Sequence, residues 1–175
     1  MNLMIDIETL ATTYNAVVTQ IGAIFFDRSK GLVIDEGICL NISIDDCLQH
    51  GLVVDSGALK FWYENTPTWL DNPLQIGKAV QLLNEYCKGA TAIWSHATFD
   101  MPILANLCYS IGQKKLPFSF RNCRDIRTLV DLSNLKIDKS IPKVGKTHNA
   151  LDDCKFQVNY CVEAFKALNG TVTTL

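Results

Sequence analysis

The sequence of 175 residues lacks the features that define most non-globular protein classes. Charged residues make up only 19% of the chain and hydrophobic residues 48%, a balance that excludes intrinsic disorder. It has neither a glycine period nor a sustained heptad repeat, which excludes collagen-like and coiled-coil structures. No apolar run approaches the ~18 residues of a membrane span, and the N-terminus lacks the basic flank of a signal peptide. We therefore expect one soluble, cytoplasmic domain over residues 1–175, with no membrane partner.

The seven cysteines lack the spacing of a disulfide or zinc framework. Their count is odd, and no two of them stand in a CxxC pattern. Because no secretory signal precedes them, we expect small buried side chains in a reducing compartment.

Positive charge is concentrated in one part of the chain. The segment Gln113–Lys155 carries 10 Lys and Arg against 5 Asp and Glu, although the whole chain has a net charge of −2. This segment indicates an anionic partner or, alternatively, a solvated face with a lysine-rich loop.

The N-terminal part of the chain is rich in strand-forming residues. We predict strands at Leu3–Ile7, Ala16–Phe26 and Leu32–Ile44, and their short connections favour an antiparallel meander. Helices and short strands alternate beyond them. This order predicts an α/β fold with a mixed central sheet flanked by helices, in which three antiparallel strands come first and parallel strands are added later.

Capping residues and apolar periodicity locate the later elements. Asp55 or Ser56 is expected to begin one helix, and Asn72 with Pro73 a second helix that Gly89 ends. The other predictions are a strand at Ala90–Trp94, a helix at Phe99–Ile111, a strand at Phe118–Cys123, a helix at Asp125–Leu132, a loop at Lys136–Lys146, and a last helix that Asn149 caps and Gly170 ends.

Four acidic residues stand out by their positions. Asp6 and Glu8 are two residues apart on the first predicted strand, so both side chains point to the same face. Carboxylates on a buried face repel each other unless a cation neutralises them, whereas at a strand edge they are simply solvated. Asp100 opens one predicted helix and Asp153 lies in the first turn of the last; each alone is also explained by the helix dipole.

A histidine completes a possible hydrolytic site. His148 lies just before the last helix, where it acts as a general base beside Asp153 or is merely structural or exposed. Converging carboxylates bind hard divalent cations such as Mg²⁺ or Mn²⁺, because these ions prefer oxygen ligands. Two such ions and a base are suited to phosphodiester hydrolysis by water.

Three motifs resemble those of the DEDDh 3′→5′ exonuclease superfamily, which has a ribonuclease H-like fold. They are Asp6-Ile7-Glu8-Thr9, Phe99-Asp100 and His148-Asn149-Ala150-Leu151-Asp152-Asp153. The aspartate of the third motif follows the histidine by five residues, which selects Asp153. Two further segments, Leu59–Asn65 and Cys123–Thr128, resemble phage and bacterial exodeoxyribonuclease VIII-like proteins and the RNase AS-like exoribonucleases that are specific for adenosine-containing RNA.

The resemblance implies a role for each motif residue. Asp6, Glu8, Asp100 and Asp153 would hold two divalent cations, Mg²⁺ or Mn²⁺, and His148 would be the general base. Thr9 and Leu10 would grip the terminal nucleotide. Phe99 and His96 are further candidate substrate contacts, and His96 stands where many relatives have asparagine. Trp62 would stack on a base or, alternatively, is a core residue. Arg124, Arg127 and Lys146 are candidate phosphate contacts, although Arg124 could instead form an ion pair with an acidic neighbour.

We therefore expect a metal-dependent 3′→5′ exonuclease that releases nucleoside 5′-monophosphates from single-stranded DNA or RNA with a free 3′ end. Three alternatives remain: an oligoribonuclease-like enzyme for short RNA, a non-catalytic nucleic-acid-binding module with the same fold, and a metal-dependent protein that binds phosphate esters. The chain is a monomer or a homodimer, and Trp69 and the aromatic segment Leu59–Asn65 are candidate dimer contacts.

Overall fold

The computed structural model describes residues 1–138, 141, 143 and 145–170. Its strands are Asn2–Thr9 (β1), Val18–Asp27 (β2), Leu32–Val33 (β3), Ile38–Asn41 (β4), Ala92–Ser95 (β5) and Cys123–Asp125 (β6). Its helices are Ile44–Gln49 (α1), Ser56–Glu64 (α2), Ile76–Tyr86 (α3), Asp100–Ser110 (α4), Ile126–Ser133 (α5) and Ala150–Gly170 (α6).

The six strands form one mixed sheet with β1 near its centre. Strand β1 pairs antiparallel with β2 on one side and parallel with β5 on the other, and β6 continues the parallel part. Strands β3 and β4 both pair antiparallel with β2. The parallel strands need helical crossovers, and α4 connects β5 to β6. The predicted mixed α/β fold is confirmed.

Apolar residues on the two faces of the sheet belong to separate cores. Leu3 and Ile5 of β1 pack in the larger core, to which α3 and α4 also contribute buried residues such as Leu83 and Leu104. Met4, two positions from Asp6, packs on the other face with residues of α5 and α6. Alternation along β1 therefore directs Asp6 and Glu8 toward the face covered by α6.

A glycine allows α6 to begin directly against β2. A Cβ atom on Gly22 would lie 2.2 Å from the backbone carbon of Ala150, the first residue of α6. The side-chain oxygen of Gln20 accepts a hydrogen bond from the Ala150 N–H at 2.7 Å. These contacts place the start of α6, and with it Asp153, beside the strands that carry the other carboxylates.

The predicted third strand, Leu32–Ile44, is wrong as a single element. Two short strands, β3 and β4, replace it, because the chain turns at Gly37 with a φ of 78°. Helix α1, which was not predicted, then begins at Ile44, and the Ser43 side chain caps it by accepting from the Asp46 N–H.

The second predicted helix begins later than its sequence signal. Asn72 has a φ of 49°, and the backbone of Leu74 exchanges hydrogen bonds with Asn41 and Ser43, so this segment is not helical. Helix α3 begins at Ile76, whose N–H donates to the distant Asp46 carboxylate at 2.7 Å. A capping group that is remote in sequence therefore determines this boundary.

The remaining predictions need smaller corrections. The strand expected at Phe118–Cys123 is a 3₁₀ turn at Phe120–Asn122 followed by β6. Asp55 and Asn149 do cap α2 and α6, as predicted. Five of the seven cysteines are buried, whereas Cys39 is exposed. Of the predicted loop Lys136–Lys146, residues 139, 140, 142 and 144 lie outside the described residues.

Within the described ranges, no helix is both long enough and apolar enough to cross a membrane.

Candidate active site

Four carboxylates meet where the parallel strands end. Asp6 and Glu8 lie on β1 and are only 8% and 9% exposed. Asp100, at 1% exposure, begins the helix that follows the neighbouring parallel strand β5. Asp153 approaches from the first turn of α6. The sheet topology thus brings together acids that are more than 140 residues apart in the sequence.

These acids form two adjacent groups, each completed by a histidine. Asp6 and Asp100 lie with His96, and Glu8 and Asp153 lie with His148; within each group the potential ligand atoms are all within 4.8 Å of one another. Both groups open into one cavity of about 340 Å³. Its lining is Asp6, Ile7, Glu8, His96, Phe99, Asp100, Arg127, Lys143, His148, Asp153, Phe156, Gln157 and Tyr160.

Burial makes this cluster of acids hard to ionise. Together with the nearby Asp6 and Asp153 carboxylates, which add less than burial does, it raises the pKa of Glu8 to about 9. Burial also raises the pKa of Asp6 to about 7, against the lowering effect of a hydrogen bond from Gln157. The pKa of Asp100 lies well above its usual range for the same first reason, with Asp6 adding to it. The site therefore disfavours its own negative charge unless cations enter it.

Backbone and side-chain donors orient the carboxylates. The Gln157 amide donates to Asp6 at 2.7 Å. The backbone N–H of His96 donates to Asp100 at 2.7 Å, and that of His148 donates to Asp153 at 3.0 Å. Each of these three bonds occupies one carboxylate oxygen and fixes the direction of the other.

Aromatic residues contact the ring of His148. Its ring contacts Phe61 edge-on at a centroid distance of 4.7 Å and Trp62 at 5.9 Å. The Thr68 hydroxyl donates to the His148 backbone oxygen at 3.1 Å, and the His148 backbone adopts a φ of 62°. Helix α2 and the segment after it therefore determine the position of this imidazole.

The second histidine, His96, is neutral at ordinary pH. Burial lowers the pKa of His96 to about 4, and the nearby Arg127 charge lowers it as well. Its Nε2 lies 3.4 Å from the Tyr160 hydroxyl. A neutral imidazole in this place offers a nitrogen lone pair or an N–H group to the cavity.

The sequence matches a family model described as the 3'-5' exoribonuclease Rv2179c-like domain over residues 1–165. The chain belongs to this family. Membership in the Rv2179c-like family supports the expected exonuclease superfamily and a nuclease function. The more specific resemblance to exodeoxyribonuclease VIII-like proteins stays a prediction. No curated protein sequence shows significant similarity to the chain.

Solved structures with a similar fold include several exonucleases. E. coli exonuclease I, in complex with a dT13 oligonucleotide, superposes with a TM-score of 0.66 at 15% identity over 98% of this chain and 41% of its own. A 3′-exonuclease that recognises the histone mRNA stem-loop gives 0.63 at 13% identity, over 94% and 81%. Exonuclease X in complex with 5′-overhanging duplex DNA gives 0.54 at 15% identity, over 99% and 95%. The chain spans less than half the length of exonuclease I, and these identities establish the shared fold alone.

Not every residue predicted to contact substrate lines the cavity of this Rv2179c-like domain. His96 and Phe99 do. Leu10 is buried in the larger core, and Trp62 is also buried, with its indole N–H donating to the Thr9 backbone oxygen at 3.0 Å. The structure thus gives Trp62 the packing role that was its alternative.

Three other candidates lie outside the cavity. The Arg124 guanidinium donates to the backbone oxygens of Arg121 and Cys123, rather than to a neighbouring acid. Lys146 lines a separate groove on the His148 side. Trp69, expected at a dimer contact, is buried edge-on against Trp62 and presents no surface to a partner.

Several residues of the site were not singled out from the sequence. Gln157 and Tyr160 follow Asp153 by four and seven residues, which places all three on one face of α6. That spacing was a usable signal. Lys143 lies over the Phe156 ring at 5.5 Å, and no sequence pattern indicated that it lines the cavity.

Proposed function

We propose that this protein is a metal-dependent 3′→5′ exonuclease of the DEDDh type that acts on single-stranded nucleic acid. The observation that carries the proposal is the convergence of Asp6, Glu8, Asp100 and Asp153 with His148 in one cavity. Membership in the Rv2179c-like family agrees with it.

The donor set fits divalent cations. Asp6, Glu8, Asp100 and Asp153 would hold two of them, because Mg²⁺ and Mn²⁺ prefer carboxylate oxygens. Burial raises the pKa of Asp6 and Glu8, because the protein alone does not compensate the negative charge of their ionised forms. When bound, such ions supply the charge neutralisation and Lewis acidity that phosphodiester hydrolysis needs.

The chain's own residues supply the remaining chemistry. His148, held by Phe61 and Thr68, would take a proton from the attacking water. The water oxygen would bond to phosphorus as the bond from phosphorus to the 3′ oxygen of the strand breaks, which releases a nucleoside 5′-monophosphate. The departing 3′ oxygen would take a proton from solvent and become the new 3′ hydroxyl. Arg127 and Lys143, which line the same cavity, would neutralise the phosphate oxygens.

The structural neighbours support the proposed substrate class. The structural neighbours include complexes with single-stranded DNA and with an mRNA stem-loop. We therefore propose that a free 3′ end of a single strand enters the cavity, as either DNA or RNA. We also propose a homodimer, with the exposed Leu59 and Tyr63 of α2 replacing Trp69 as the contact to test.

A degradation assay tests the proposal. Single-stranded DNA and RNA labelled at the 5′ end would be incubated with Mg²⁺, Mn²⁺ or EDTA. We expect a metal-dependent ladder that shortens from the 3′ end and disappears in Asp153→Asn. Asp152→Asn is the matched control, because Asp152 is its neighbour in the chain but pairs with Lys155 rather than lining the cavity.

The same assay separates the alternatives. A ladder that forms only from very short RNA would indicate an oligoribonuclease-like enzyme. Binding of either strand with no cleavage under any metal condition would indicate a non-catalytic module and would overturn the proposal.

A further inference from the structure

A second cavity adjoins the catalytic one between α5 and α6. Its volume is about 450 Å³. Three residues, His96, Arg127 and Tyr160, line both cavities. The two cavities are therefore neighbours on either side of one shared wall.

The lining of the second cavity suits a nucleobase. A base has two apolar faces and a polar edge, and it stacks on aromatic rings. The cavity offers an apolar floor beside the edge of Tyr160, which is only 4% exposed, and it has polar side chains from Asp131 and Asn134. The apolar floor consists of Ile126, Val130, Leu135 and Ile137.

Arg127 lies where a phosphate would join the two cavities. It is exposed on the first turn of α5 and lines both cavities, the catalytic one together with Asp6 and Asp100. The guanidinium is therefore close to the catalytic carboxylates. Its planar set of N–H donors matches the oxygens of a phosphodiester.

The position of this cavity indicates which nucleotide it holds. Strand β1 ends at Thr9, on the side of the site that carries Trp62 and His148. The second cavity lies on the other side, with His96. The resemblance places the 3′-terminal nucleotide on the Thr9 side, and the proposed function places its phosphate at the carboxylates, so the remaining strand continues toward Arg127.

We propose that the second cavity binds the base of the nucleotide on the 5′ side of the scissile phosphate, with Arg127 contacting the adjoining phosphate. This inference rests on the proposed exonuclease function. It assigns a subsite for the strand that remains after each cleavage, formed by α5 and α6.

The test combines a change in the protein with a change in the substrate. Val130→Trp would fill the cavity, and an abasic nucleotide next to the 3′ end would remove the base from the strand. For the unaltered protein we expect kcat/KM to fall on the order of tenfold with the abasic strand, which is typical of one lost stacking contact. Val130→Trp should show the same loss on the intact strand and no further loss on the abasic strand.

Two further variants keep the test sound. Leu132→Trp is the matched control, because Leu132 lies on the same helix but is 65% exposed and does not line the cavity. Ile137→Trp also fills the cavity and replaces Val130→Trp if that variant fails to fold, because Ile137 is already 46% exposed. Thermal melting establishes that each variant is folded.

The outcomes are distinguishable. Equal kcat/KM for the two strands in the unaltered protein would overturn the subsite, and so would losses that simply add in Val130→Trp. In both cases the exonuclease activity itself persists. Absence of cleavage of every strand by the unaltered protein would instead overturn the proposed function, and the subsite with it.

Discussion

The two faces of β1 differ in what their side chains do for the protein. Leu3 and Ile5 point to the face covered by α3 and α4, are fully buried, and pack among apolar neighbours. Asp6 and Glu8 point to the face covered by α6 and are almost as buried, yet they lie among other carboxylates. The side chains on one face of this strand therefore stabilise the fold, whereas those on the other face destabilise it.

The cost of the acidic face is electrostatic. Buried carboxylates without enough positive charge nearby favour their protonated form, which the raised pKa of Glu8 and Asp6 reflects. Proteins accept such a cost where the groups perform chemistry, and perturbed pKa values cluster at functional sites for this reason. The contrast predicts that changes on the two faces affect different properties.

The largest effect is expected for Asp6→Asn, which would abolish one metal ligand without removing bulk. Exonuclease activity should fall roughly a thousandfold or more, because loss of a bound cation removes several kcal/mol of transition-state stabilisation. The melting temperature without metal should stay the same or rise. Activity within tenfold of the unaltered protein, measured on a labelled single strand, would contradict the role of this face.

The opposite face should respond in stability. Ile5→Ala, at a fully buried position, should lower the free energy of unfolding by about 2–5 kcal/mol, because it leaves a cavity in the larger core. At a low temperature, where Ile5→Ala is still folded, its activity should depend on metal as that of the unaltered protein does. Urea denaturation measures the first quantity; a loss below about 0.5 kcal/mol would show that this face is not a packed core.

Gly22→Ala tests the contact that holds the acidic face together. Gly22 is the register partner of Asp6 on β2, and an added Cβ would clash with the backbone of Ala150. We expect a loss of about 1–3 kcal/mol in stability from overpacking, with reduced activity because α6 carries Asp153. Gly77→Ala is the control, since a Cβ at Gly77 meets no atom within 4 Å.

The most gradual effect is the pH dependence of stability. Asp6 and Glu8 have a higher pKa when folded than their usual values of 3.8 and 4.5, so the folded protein binds more protons than the unfolded chain above about pH 4. Without metal, stability should therefore fall as pH rises from about 4, and the fall should end near pH 9, above the folded pKa values of about 7 and about 9. Millimolar Mg²⁺ should restore it most strongly at the upper end of this range, because the cation binds the ionised carboxylates.

Chemical denaturation across this range, with EDTA or Mg²⁺, measures the slope. Glu8→Gln should flatten the slope in EDTA. A free energy of unfolding in EDTA that instead increases with pH would show that the two carboxyl groups are not buried together as the structure has them.

Apart from the divided third strand and α1, the sequence by itself determined the order of strands and helices. It also determined the mixed sheet and the shared face of Asp6 and Glu8, because these depend on short-range alternation, on capping residues such as Asn149, and on motif spacing. It also proposed the acids and the histidine that the structure then brings into one cavity.

Only the tertiary structure decided the elements and contacts that depend on partners far along the chain. Helix α3 begins at Ile76 because Asp46 caps it from a distance, and the segment before it is held by Asn41. Trp62 is a core residue because the Thr9 carbonyl accepts its N–H. Arg127 lines the site because β6 lies next to β5 and so directs the start of α5 toward the carboxylates. A local pattern cannot specify these positions, because the hydrogen bonds and packing contacts that fix them form only when the sheet is assembled.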